Sequence, residues 1–269
     1  LLLGFQHMFA MFGATILVPI LTGLDVSNTL LFAGLGTLLF HLITGGKVPA
    51  FLGSSFAFLG GYATIAPMLG EQQNIPNLEM LPYACFGVAC AGLVYVILAG
   101  LFKAFGAKKV MRFFPPIVTG PIIIAIGLNL SSSAINNCTG NWWIAIAAIL
   151  IIVAANIWGK GMIKIIPILL GVIGSYLLAV IFDADVRANL VANVSEAKWF
   201  ALPIKMEQTV FGLFASGNVD AHKLLTAVIT IVPLSLATMV EHIGDVSAIS
   251  STCNRNYIEN PGLHRTLMG

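Results

Sequence analysis

The chain has 269 residues, 58% of them hydrophobic and only 9% charged, and its mean hydropathy is +0.95. That balance excludes an ordinary soluble domain and marks an all-α polytopic membrane protein. A net charge of +2 gives no reason to expect a nucleic-acid partner, and Cys85, Cys90, Cys138 and Cys253 lack metal-ligand spacing and read as packing residues.

Stretches of about 20 apolar residues between polar or turn-rich breaks predict eight spans, roughly 1–22, 27–44, 50–69, 81–101, 113–133, 141–158, 163–182 and 223–249. Opening on Leu1 without a methionine and stopping at Gly269, the chain reads as a fragment of a longer protein. The first span carries Gln6 and His7 beside the small residues Ala10, Gly13 and Ala14. An amide and an imidazole inside a bundle are expected as hydrogen-bond partners between helices.

The third span contains Gly53-Ser54-Ser55-Phe56-Ala57-Phe58 with Gly60-Gly61 after it. Two readings stand side by side. Glycines on both sides favour an extended, unwound piece that can cradle a ligand, while small residues at this spacing also suit a continuous, closely packed helix. Pro115-Pro116 opens the fifth span, where a missing N–H costs little, and Pro167 and Pro233 are expected to kink or loosen theirs.

Basic residues set the orientation. Lys47, then Lys103, Lys108, Lys109 and Arg112, then Lys160 and Lys164, then Arg255 and Arg265 follow the even-numbered spans, making nine of the thirteen. The positive-inside rule puts those loops, and both ends of the chain, in the cytoplasm. The opposite loops hold mostly Asp and Glu, and residues 183–222 form one long extracytoplasmic loop in which Trp199-Phe200-Ala201-Leu202-Pro203 suits anchoring at headgroup level.

The last span runs uncharged from Leu224 to Val240 and then delivers Glu241 and Asp245. A spacing of four puts both carboxylates on one helical face, together with the small residues Ala237, Thr238, Gly244 and Ala248. A carboxylate at membrane depth is expensive and faces a cavity or a partner. His242 lies about 100° round the helix and points elsewhere; His41, His222 and His264 sit at span edges or in loops.

Taken in order, Gln6-His7 with Phe9 to Thr15, Val48-Pro49-Ala50, Gly53 to Phe58, Phe114-Pro115-Pro116, Ile166 to Leu169, Trp199 to Pro203, Glu241 to Gly244 and Pro261 to Arg265 resemble the nucleobase-ascorbate transporter family of nucleobase-cation symporters, in its bacterial uracil permease branch. The resemblance implies an inverted-repeat transporter with seven plus seven spans, and short strands in the third and tenth spans flanking the substrate. The chain would then hold the first repeat (1–182), the extracytoplasmic loop (183–222), and the first span of the second repeat with its cytoplasmic loop (223–269). Carried over residue by residue, Glu241 matches the glutamate that hydrogen-bonds the base, Phe56 the strand residue beside it, and Ser55 and Ala14 positions lining the same pocket. The first span, with Gln6 and His7, would join the same core. Asp245 departs from a uracil-type member, which has histidine there, and matches purine-type members.

The expected activity is import of a nucleobase, uracil before xanthine or uric acid, by proton symport across the cytoplasmic membrane. Asp245 and Glu241 are the candidates for carrying or tuning the proton. No cofactor beyond the proton gradient, no metal and no enzymatic role are expected; a homodimer is compatible. An anion transporter on the same scaffold competes, but calls for a cation and a helix N-terminus in place of Glu241. An intramembrane enzyme or channel would need a nucleophile with its base, a metal cluster or a charged ring.

Overall fold

The computed structural model describes residues 15–70, 75–110, 112, 116–164, 166–197, 202–215, 217 and 219–269. The principal helices are α1 (Val26–Thr44), α2 (Leu59–Ile65), α3 (Leu81–Phe105), α4 (Pro116–Cys138), α5 (Trp142–Trp158), α6 (Pro167–Phe182), α7 (Ala184–Glu196), α8 (Val210–Ala215), α9 (Ala221–Ile231), α10 (Ser235–Thr252) and α11 (Leu263–Met268). Contacts group the chain into two units, Leu1–Thr15 with Asn129–Leu202, and Ile16–Leu128 with Pro203–Gly269.

In the first unit α5 and α6 pack closely because Gly171 and Gly174 offer no side chain: a Cβ there would lie 2.4 Å from Ile152 and 2.7 Å from Ile151. Trp142 and Trp143 begin α5 and Trp158 ends it, all exposed, an arrangement suited to two membrane interfaces. Pro167 stands at the start of α6, where it costs no hydrogen bond; the kink expected there is absent. Asp183 caps α7 by accepting from the backbone N–H of Asp185 and Val186, and α6 and α7 meet at 107°. The stretch 183–222, expected as a loop, therefore carries helix in α7 and α8.

In the second unit, two buried clusters hold the helices together. One joins Phe40 of α1, Leu98, Ala99 and Phe102 of α3, Met239, Ile243 and Val246 of α10, and Leu263 and Leu267 of α11. The other joins Tyr62 and Ile65 of α2, Leu81, Tyr83 and Ala84 of α3, Leu213 of α8, and Ala227 and Ile231 of α9. Close approach of α3 to α9 needs Gly87, whose Cβ would stand 2.9 Å from both Ala227 O and Ile231 Cδ1.

Among the described residues three helical segments are long and apolar enough to cross a membrane, α1, α3 and α9 with α10 (Ala221–Thr252); the bent pair α6 and α7 makes a fourth if taken as one span. Leu38 and Leu42 of α1 and Leu93 and Ile97 of α3 are exposed, as lipid-facing residues are. Helix α5 and the segment Phe56–Ile65 are apolar but shorter.

One expectation is corrected. No strand forms over Ser54 to Phe58: residues 51–55 are unwound, Phe56–Phe58 make a single 3-10 turn, and α2 follows. A strand needs a neighbouring ladder, and no strand stands beside this segment among the described residues. Ser55 instead caps the turn with its side-chain oxygen, accepting from Ala57 N at 3.3 Å.

Candidate functional site

The unwound piece is fixed at its start by α1. Thr37 Oγ1 accepts from Leu52 N at 3.1 Å and donates to Ala33 O at 2.8 Å. The backbone then runs extended to Ser55, φ −85° and ψ 130°, outside any helical ladder. Ser55 and Phe56 are half-buried. Unwound backbone of this kind leaves N–H groups to be met by protein, water or a ligand.

The facing element is α10. Its approach is shaped by Pro233, which sits in the 3-10 turn Val232–Leu234 between α9 and α10 and loosens the span there as expected. Met239, Val240, Ile243 and Val246 are buried, and this leaves Glu241 half-buried and Asp245 exposed. Asp245 and the Ser55 hydroxyl both lie close enough to Glu241 to act on its charge. Ser55 thus uses a lone pair for the turn, and its hydroxyl stands near the Glu241 carboxylate, where the unwound segment meets α10.

Ser55 and Glu241 are brought together, with Asp245 beside Glu241; Phe56 opens the 3-10 turn that Ser55 caps. Thr238, grouped with this face in the sequence, turns towards α3: Tyr95 Oη donates to its Oγ1 at 2.6 Å. Gln6, His7 and Ala14, and the aromatic run Trp199-Phe200-Ala201, lie outside the described residues.

A cleft of about 500 Å3 adjoins α10, lined among others by Ser55, Phe58, Gly92, Tyr95, Thr238 and His242. The His242 ring meets Tyr95 edge to face, centroids 6.3 Å apart, and its Nε2 is buried without a hydrogen-bond partner. Helical spacing alone puts His242 about 100° round from Glu241, and nothing local in the sequence reveals a cleft there. Among the described residues no cluster of His, Cys, Asp or Glu is arranged to hold a metal ion.

A carboxylate held beside a hydroxyl, facing unwound backbone within a helical bundle, is a site that can accept an N–H and offer N–H groups to a carbonyl. The model of the permease family matches residues 1–269. The chain belongs to the nucleobase-ascorbate transporter family. Members of this permease family are transporters, not enzymes, and the apolar helices are those of a multi-pass membrane protein. The chain is 38% identical over 277 residues to the uracil permease of Bacillus caldolyticus, covering 99% of this chain and 59% of that protein. It is 37% identical over 275 residues to the probable uracil permease of Haemophilus influenzae, covering 99% and 60%. With the uracil permease of Bacillus subtilis (strain 168) it shares 35% identity over 280 residues, covering 98% and 59%. The chain spans about three-fifths of the length of these nucleobase-ascorbate transporter relatives.

Proposed function

We propose that this chain belongs to a secondary transporter that imports a nucleobase, uracil first, by proton symport across the cytoplasmic membrane. The observation that carries the reading is the pair Glu241 and Asp245, one turn apart on α10, with the unwound segment of Ser55 beside Glu241. Uracil presents ring N–H donors next to carbonyl acceptors. Glu241 accepts from a ring N–H, unwound backbone near Ser55 donates to a carbonyl, and Phe56 supplies an apolar or stacking wall. Asp245, one turn further along α10, holds the coupling proton or tunes Glu241 by like charge. The relatives named as uracil permeases support uracil as the base. The basic loops point to cytoplasmic ends for the chain, and the inverted-repeat architecture with a second half follows from the resemblance.

The test is uptake of labelled uracil and of labelled xanthine by proteoliposomes made with the full-length protein, with and without an inward proton gradient. Gradient-driven uracil uptake is expected. Xanthine uptake in its place would move the reading to the purine branch, and uptake of neither would remove it.

A further inference from the structure

The buried, unpartnered Nε2 of His242 is the feature of this fold that the Glu241 site leaves unused. A buried polar atom without a partner is costly, so it points to an occupant. The cleft it lines, about 500 Å3, lies within the range of small-molecule sites, about 300–1,000 Å3. Its polar groups come from four elements: Ser55 from the unwound segment, Tyr95 from α3, Thr238 and His242 from α10, and Thr266 from α11. Phe58, Val88, Val96 and Leu267 add apolar wall. Gly53, at the centre of the unwound segment, borders this cleft and also a second cavity of about 360 Å3 beside Asn28 and Gln208. Ser55 stands near Glu241 and also lines the cleft.

We propose that the cleft of His242, Tyr95 and Thr238 is a second binding station for the transported solute, a small planar ring carrying amide N–H and C=O groups. The proposal rests on the nucleobase reading above. His242 lies one residue beyond Glu241 and about 100° round the helix, so a ring leaving the carboxylate passes Ser55 and meets the imidazole. Nε2 then gains the partner it lacks, and the edge of Tyr95 and the apolar wall cover the ring faces.

Gly92 lines the cleft and a Cβ added there meets nothing within 4 Å, so a cysteine at this position reports on occupancy without disturbing packing. In the full-length protein, with the native cysteines replaced and Gly92→Cys introduced, alkylation by a membrane-permeant maleimide is measured with and without saturating uracil. Uracil is expected to slow it about threefold or more. His242→Leu should abolish that protection while equilibrium binding of uracil at Glu241 changes by no more than about twofold. Thr238→Val, which removes a hydroxyl at nearly constant shape, should weaken protection in the same direction and serves if His242→Leu does not assemble. Protection that survives both variants, or its absence in a protein that transports uracil, overturns the second station alone. A protein that transports neither uracil nor xanthine overturns it together with the nucleobase reading.

Discussion

The Lys205 ammonium lies 2.6 Å from Asp25 Oδ2 at the N-terminus of α1. The contact is one strand of a clasp. Asp25 Oδ1 accepts from Asn28 N at 2.9 Å, Asp25 N donates to Gln208 Oε1 at 2.6 Å, and Asn28 Nδ2 donates to Lys205 O at 3.4 Å. The segment around Met206–Gln208 is thereby tied to the helix cap, next to the cavity bordered by Asn28 and Gln208.

The clasp is expected to depend on acid pH. Burial raises the Asp25 carboxyl, but the Lys205 hydrogen bond and charge and the backbone N–H groups of Asn28 and Ser27 outweigh it, so the group is held below its ordinary value of 3.8. A depressed carboxylate contributes its stability in full above the unfolded value and loses it as pH falls through the folded one. Asp25→Asn keeps a capping oxygen and loses the ion pair, worth about 0.2–1 kcal/mol at an exposed lysine. Asp25→Ala also loses the cap, about 1 kcal/mol more. Thermal unfolding of the full-length protein in detergent should rank wild type above Asp25→Asn above Asp25→Ala at neutral pH, and the wild-type advantage over both variants should shrink below pH 3.8. Equal stability of all three at neutral pH would deny the clasp any energetic weight.

The two carboxylates of α10 should separate into binding and coupling. Glu241→Gln presents a weaker, neutral acceptor and should cost about 1.5–3 kcal/mol of uracil binding, about tenfold or more. Asp245→Asn should leave equilibrium binding largely intact while flattening the pH dependence of uptake. Binding isotherms and pH profiles on both full-length variants decide. Abolished binding in Asp245→Asn with normal binding in Glu241→Gln reverses the two roles.

Gly87 should be intolerant. Its missing Cβ would fall 2.9 Å from Ala227 O, and backbone cannot move aside as a flexible side-chain tip can. Gly87→Ala is expected to cost about 1–3 kcal/mol by overpacking, whereas Gly92→Ala, with open space around it, should be close to neutral. Melting temperatures of the two variants, measured side by side, test the α3 to α9 contact; equal values would contradict it.

Topology is tested with single cysteines in a background lacking the native ones, of which Cys253 is exposed. A cysteine replacing Lys160 should react with an impermeant maleimide only from the cytoplasmic side, and one replacing Asn189 only from outside. Both positions are exposed. Labelling of the Lys160 position from outside would invert the orientation read from the basic loops.

Much of the site's content was legible along the chain. Composition determined the membrane class, because lipid tolerates little charge. The spacing of Glu241 and Asp245 fixed their shared face, because a helix turns through a constant angle per residue. Gly53 and the glycines after Phe58 marked the place where the helix gives way, since glycine lowers the cost of unwinding. Other features came only with tertiary structure. With no ladder partner among the described residues, Phe56 to Phe58 form a 3-10 turn capped by Ser55, not a strand, and Ser55 comes near Glu241 through packing between segments far apart in sequence. Thr238 and His242 face Tyr95 because Met239, Ile243 and Val246 are buried with Leu98 and Phe102 of α3. Helical spacing fixes the angle at which a side chain leaves its helix, but what it meets depends on which distant elements pack there.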